Sequence, residues 1–398
     1  MKNHSSSRRG VSSQTGYIIL ILVAMVAFVA GTRSDEIYKL VGPALGIKVV
    51  DELDLSSVQQ TYKALAQRYT GSLDLEKLIY GANRGLVSAA GDRYTVFLDP
   101  NEASELDKDL SGDIGGGIGA EIGIRKDRPT IVRLLADNPA IGAGLAVGDA
   151  IISVNDKPTK EWDAEKTAKE IRGEIGSSVK LMIDRAGKQK TYSITRAKVN
   201  NPSVYSEVRN GIGVMTITRF DEDTGLLARK EADSFMRRGV RGVVVDVRND
   251  GGGYLDAAVD VAGLWLDNKL VVTQKTKGKT ADSIKSPAGD AILSNLPTIV
   301  LVNQGTASAS EILAGALRDH GKAKLAGEKT FGKGSVQEVI DLSGGSRLKV
   351  TISKWYTPKN HNVDSKGLTP DTAIELSDDD VSNGYDNQLD VAIKQLTK

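Results

Sequence analysis

The chain has 398 residues, more than one ordinary core can serve, so two or three compact units are expected. Its 52 basic and 51 acidic residues leave a net charge of +1, which argues against nucleic acid or another polyanion as partner. There is no cysteine and there are three histidines, His4, His320 and His361. Disulfides, thiolate metal sites and a cysteine nucleophile are therefore excluded, and a histidine-rich metal site is not expected.

In chain order, Lys2, Arg8 and Arg9 come first, then an uncharged apolar run from Tyr17 to Ala30. The run is shorter than the about 20 residues of a comfortable membrane span. A cleaved signal peptide with a weak site at Val29-Ala30-Gly31 is thus one reading. The favoured one is an uncleaved anchor over residues 16–32 behind a cytoplasmic basic tail, residues 1–15. Either way the bulk of the chain is expected outside the cytoplasm, membrane-anchored or secreted.

Residues 33–111 are expected to form a helical N-terminal segment. Val58, Tyr62, Leu65, Ala66 and Tyr69 recur at helical spacing, as do Leu75, Leu78, Ile79, Ala82 and Leu86, which predicts two helices capping the rest. A polar stretch, Asp99 to Asp113, leads to a small module over residues 112–198. Its strand-like runs are Ala120–Ile124, Ala150–Val154, Val179–Ile183 and Lys190–Thr195. Residues 199–375 change pattern. Gly242–Val247 and Thr298–Val302 read as buried strands, each followed by a turn of small residues and a helix, Leu255–Leu266 and Ser310–Asp319. That order predicts a parallel or mixed sheet with covering helices. Val336–Leu342 and Leu348–Trp355 add strands, and the tail, residues 376–398, is acidic with a short helix from Gln388.

In the small module, Gly117-Ile118-Gly119-Ala120 opens a strand. Successive backbone N–H groups at such a turn can converge on a carboxylate, and a peptide can pair with the strand beyond it. A dinucleotide fingerprint also fits these glycines, but a polar segment precedes them and a strand follows, so it is rejected. With Ala143-Gly144-Leu145, Gly148-Asp149, Val154-Asn155 and Arg172-Gly173 downstream, the module resembles a bacterial PDZ domain. The resemblance makes Gly117, Ile118, Gly119, Ala120 and Arg172 candidates for holding a substrate tail.

The stretch Asn303 to Glu311 lies between a buried strand and a helix. A serine there has its hydroxyl near helix N–H groups that favour developing negative charge. Ser308-x-x-Glu311 also fits a simple capping box. A serine nucleophile needs a base. His320 and His361 have no evident path to Ser308, whereas a desolvated lysine can serve. Lys333 is flanked by Gly332 and Gly334, which permit close backbone approach, and by Phe331 as apolar cover. Gln337, four residues on, can orient its amine. The same region nearly matches a phosphate-binding loop, but Gly334 stands where Ser or Thr is needed and a strand follows.

The run Thr306-Ala307-Ser308-Ala309-Ser310-Glu311-Ile312, with Gly327 to Gln337, resembles the carboxyl-terminal processing (tail-specific) protease family. So do Asp246 to Gly253, Gly91 to Thr95, and Lys366 to Asp371. The resemblance implies an α/β multidomain fold: a crotonase-like ββα protease core with an inserted PDZ domain. It implies a Ser308–Lys333 dyad assisted by Gln337, an oxyanion hole from the N–H groups of Ala309 and Gly252, and a mechanism that requires neither a metal nor a cofactor. It also implies protein or peptide substrates with accessible C-termini, and it leaves homo-oligomerisation open. Gly251 stands where the family has proline. A catalytically silent PDZ scaffold of the same fold is the alternative.

Overall fold

A computed structural model describes residues 53–289, 291–376, 380 and 385–397. The expected anchor over residues 16–32 lies outside them, as does much of the acidic tail. Among the described residues no helix is long and apolar enough to cross a membrane. The chain divides into two units, Met1–Leu75 and Glu76–Lys398. The described part of the first holds α1 (Ser56–Arg68), and α2 (Leu75–Ser88) opens the second. Both helices form where the spacing predicts them, but no residue of either is buried.

The polar stretch after Asp99 is a helix rather than a loop. Val96–Leu98 forms β1, and α3 (Pro100–Ser111) follows. Asp99 caps it, accepting from the Asn101 and Glu102 N–H groups, while Glu102 accepts from the Asp99 N–H. Pro100 supplies a preset helical φ in the first turn, and Gly112, in the left-handed conformation, ends the helix. The Asp-Pro-x-Glu signature is present in the sequence; the surrounding charge conceals it.

The small module is a sheet of β3 (Ala120–Arg125), β4 (Arg128–Leu134), β5 (Ala150–Val154), β7 (Ser178–Arg185) and β8 (Lys188–Thr195), in that order and antiparallel throughout. A short strand β6 (Lys157–Pro158) pairs with β5. Strand β4 carries a proline and arginines that hide its alternation. A helix, α5 (Ala164–Ile171), is capped by the Asp163 side chain and buries Thr167 and Ile171; the one-turn α4 (Pro139–Gly142) precedes it. Ile118, Ile131, Leu145, Ile151, Leu181 and Ile194 fill the core. The two ends of the module are tied together by β2 (Gly116–Gly117) pairing with β9 (Ala197–Lys198).

The remaining chain builds two sheets. One has the order β10 (Val204–Arg209), β11 (Ile212–Ile217), β12 (Val243–Asp246), β15 (Thr298–Val302), β16 (Ala323–Gly327), β19 (Thr372–Ala373). Only the β10–β11 pair is antiparallel. Side chains alternate along a strand. Val243, Val245, Val300 and Val302 therefore enter one core with α6 (Thr224–Arg237), α7 (Leu255–Ala262) and α8 (Ala309–Asp319). Val244, Ile299 and Leu301 enter another beneath α9 (Asn387–Leu396). Burial on both faces is why these strands read as continuous apolar runs. Each such side chain contributes roughly 1.5–3 kcal/mol. Helix α7 stops earlier than predicted, because Gly263 breaks it and Leu264, Trp265 and Leu266 pack as a turn. The other sheet is antiparallel: β1, β18 (Arg347–Tyr356), β13 (Leu270–Thr276) and β14 (Lys279–Lys285), with β17 (Ser335–Asp341) on β18.

Candidate active site

Ser308 sits where β15 gives way to α8, at φ 56° and ψ −117°. An L-residue rarely occupies that region, and holding one there costs on the order of 1–3 kcal/mol. The surroundings enforce it. The Ala307 N–H donates to the Asp250 carbonyl at 2.9 Å, and the Ser308 N–H donates to the Glu311 carboxylate at 3.0 Å. A strained serine between strand and helix presents its hydroxyl at the end of the sheet.

Glu311 does more than cap its helix. It is fully buried, and its carboxylate also accepts from the Thr330 hydroxyl at 2.5 Å, the Gly332 N–H at 2.8 Å and the Lys333 N–H at 2.9 Å. Burial pushes its carboxyl above the ordinary range, against the pull of these donors. One side chain thus fastens the serine turn to the lysine turn.

Lys333 precedes β17. Burial lowers its pKa, the positive charge of Lys349 lowers it further, and Glu311 opposes both. The amine nitrogen lies 5.7 Å from the centre of the Tyr94 ring. Trp355 donates its indole N–H to the Lys333 carbonyl at 2.8 Å. The flanking glycines are needed for space: a Cβ on Gly332 would lie 2.6 Å from the Gly367 nitrogen, and one on Gly334 2.5 Å from the Asp364 nitrogen. Phe331 does not cover the amine. It is 53% exposed and does not line the cavity that Lys333 borders; Gly332, between the two, has φ +88°.

Ser308, Lys333, Gln337, Ala309 and the Gly251–Gly253 turn line one cavity of roughly 300 Å³. Leu106, Leu110, Leu255, Ile312, Val336 and Trp355 supply apolar wall. Neither His320 nor His361 borders it; His320 instead bonds the Leu270 carbonyl at 2.7 Å. The Ser308 hydroxyl and the Lys333 amine share the cavity without a direct hydrogen bond. Gln337 does not bond the amine. Its amide donates to the Ser335 hydroxyl at 2.8 Å and the Thr351 hydroxyl at 3.3 Å. Thr351 in turn donates to Asp92 at 2.6 Å, as does Thr95. These bonds give the Gly91–Thr95 motif a role that its residues alone do not reveal. It braces Gln337 and places Tyr94 against Lys333.

Of the two expected oxyanion donors, the Ala309 N–H leads α8 and has no acceptor among the described residues. The Gly252 N–H differs: it donates to the Asp250 carboxylate at 2.8 Å and is not free in this conformation. Its residue is nonetheless next to the nucleophile, since a Cβ on Gly252 would lie 2.8 Å from the Ser308 Cβ.

A second cleft, of about 1060 Å³, runs between β3 and α5, lined by Ala120 and Ile122 on one side and Ala164, Ala168 and Arg172 on the other. Gly117, Ile118 and Gly119 do not line it; the N–H groups of Ile118 and Gly119, just before β3, have no acceptor among the described residues. Helix α3 borders both clefts: Leu106 and Leu110 face the first, and Glu105, Lys108 and Asp109 the second.

The family model for peptidase family S41 matches residues 211–374, and that for the PDZ domain matches residues 116–195. A probable CtpA-like serine protease of Staphylococcus haemolyticus is 35% identical over 375 residues, 94% of this chain and 75% of that protein. Its counterpart in Staphylococcus saprophyticus is 33% identical over 375 residues, 93% of this chain and 75% of that one. Among solved structures, a photosystem II D1 C-terminal processing protease is 30% identical, with a TM-score of 0.51 over 81% of this chain and 87% of that one. A putative S41 protease of Bacteroides fragilis shares the fold, with a TM-score of 0.61 at 16% identity over 88% of this chain and 98% of that one. The chain belongs to peptidase family S41, as a CtpA-like serine protease that carries a PDZ domain.

Proposed function

We propose that the protein cleaves extracytoplasmic protein substrates with a Ser308–Lys333 dyad, having first taken hold of their C-terminal tails. The observation that carries this reading is the strained serine turn fastened through Glu311 to a half-buried lysine on the same cavity. Burial and the Lys349 charge favour the neutral amine, the form that can accept a proton. Neutral Lys333 takes the proton of the Ser308 hydroxyl as the oxygen attacks a peptide carbonyl, once substrate brings the two within bonding reach. The Ala309 N–H and one from the glycine turn hold the oxyanion. The lysine then protonates the departing amine, and water, deprotonated in its turn, releases the acyl group. Gln337 steadies the lysine side of the cavity through Ser335 and Thr351.

The cleft between β3 and α5 serves as the tail site. The unclaimed N–H groups of Ile118 and Gly119, just before β3, suit a terminal carboxylate, and the edge of β3 suits an added strand. The apolar run before residue 31 would hold the enzyme at the membrane with these clefts outside.

The test is cleavage of one disordered protein carrying either a free or an amidated C-terminus, by wild type and by Ser308→Ala. The expected result is efficient cleavage of the free-tailed form only, and none by the variant. Equal cleavage of both forms would remove tail capture; cleavage by the variant would remove the serine.

A further inference from the structure

Asp250 is fully buried just before the glycine turn. Its Oδ1 accepts the Gly252 N–H at 2.8 Å, while its Oδ2 is buried with no hydrogen-bond partner among the described residues. The main chain of Asp250 is pinned to the nucleophile turn, accepting from the Ala307 N–H at 2.9 Å and the Ser310 hydroxyl at 3.0 Å. A buried carboxylate with one orphan oxygen is a weakly satisfied group, and such groups in native proteins mark stored strain or a functional role.

The bond has a direct consequence for the cavity. It turns the Gly252 N–H toward the interior, although Gly252 itself lies against Ser308 and the Ala309 nitrogen. With glycine at 251, 252 and 253, the Gly251–Gly252 peptide plane can rotate without a side chain in its way.

We propose that Asp250 is a positioning residue that latches the oxyanion turn: while its carboxylate holds the Gly252 N–H, that donor is withheld from the oxyanion, and release of that bond supplies it. This rests on Ser308 being the nucleophile. The latch is sensitive to charge. Arg219, on the segment after β11, is the charged group that acts on Asp250, and it is paired with Asp221 at 2.8 Å; from α8 the facing group is the uncharged Ser310 hydroxyl. Burial pushes the Asp250 carboxyl up to about 7, so proton uptake weakens the acceptor, and the latch, as pH falls through that value.

The experiment is the rate at which a fluorophosphonate probe modifies the full-length protein, with the modified residue mapped by mass spectrometry. Phosphonylation develops the same oxyanion as peptide attack. Wild type is compared with Asp250→Ala, which removes the acceptor, and with Asp250→Asn, which keeps its shape but not its charge. At about pH 9 the alanine variant should be labelled about tenfold faster or more, out of the roughly 10²–10³ that one oxyanion donor is worth. The asparagine variant should also be faster there, and its advantage should vanish near about pH 5.5, where wild-type Asp250 is protonated. Labelling of the alanine variant no faster than wild type at the higher pH overturns the latch. Should that variant fail to fold, the same result for the folded asparagine variant overturns it. Labelling of wild type at a residue other than Ser308 is a different failure: it removes the proposed nucleophile and the latch with it.

Discussion

Glu311 accepts the backbone N–H of Ser308 at 3.0 Å and that of Lys333 at 2.9 Å through the same carboxylate oxygen. Two turns far apart in sequence are thereby set side by side by one buried group. Glu311→Gln preserves size but offers one acceptor oxygen in place of two, so its NH₂ would face N–H donors on one side. Each buried donor left unpaired costs about 1–3 kcal/mol. The variant should unfold at lower urea and lose most activity, through kcat rather than KM. Unchanged kcat with a lowered urea midpoint would reduce Glu311 to a structural staple.

Lys349 shares the cavity with Lys333 and lowers its pKa. Lys349→Met removes that positive neighbour, which favours the charged form of Lys333 and raises its pKa. Less neutral base is then present at a given pH. The acid limb of the kcat/KM profile should move to higher pH, with activity lost near neutrality and regained as pH rises. Lys349→Arg should restore the wild-type profile. A profile that stays in place in the methionine variant rules out this influence.

Arg248 joins the end of β12 to the start of α9. It pairs with Asp246 at 2.6 Å and with Asp386 at 2.6 Å, and it donates to Gln388 at 2.8 Å. Burial alone would raise the Asp386 carboxyl, but Arg248 holds it below the usual range. A depressed carboxylate pKa gives stability that is present above the unfolded value, 3.8, and is lost as pH falls through the folded one. Asp386→Asn should therefore lower the stability measured by urea unfolding near neutrality, by about 1–3 kcal/mol for a partly exposed pair, less than a fully buried pair would lose. The gap to wild type should close in acid. A gap independent of pH would assign the loss to packing of α9 instead.

Much of this is legible in the sequence because it is periodic or local. Buried strands β12 and β15 announce themselves as apolar runs, and the serine and lysine turns by their small residues. Helix α3 escapes a periodicity search because its signal is a cap rather than an apolar stripe, and β4 escapes because Pro129 and two arginines break its alternation. Phe331 is exposed rather than part of the cavity wall, and the positive φ at Gly332 beside it is a backbone feature that residue types alone do not reveal. The capping-box spacing reaches the bond from Ser308 to Glu311, but no spacing rule reaches the bonds from Glu311 to the lysine turn, the Tyr94 ring or the Asp250–Gly252 bond, which join residues distant in chain or hidden in backbone geometry. Their residues leave a trace only as members of the Thr306–Ile312, Gly91–Thr95 and Asp246–Gly253 motifs.

The central claim is that Lys333, uncharged and shielded, is the base for Ser308. Its most direct test is kcat/KM on one disordered substrate for wild type, Ser308→Ala, Lys333→Ala and Lys333→Arg, with thermal unfolding recorded for each. The account predicts losses of about 10³-fold or more in all three variants with melting little changed, since arginine cannot give up its proton. A folded Lys333→Ala or Lys333→Arg enzyme that cleaves at the wild-type rate would contradict it.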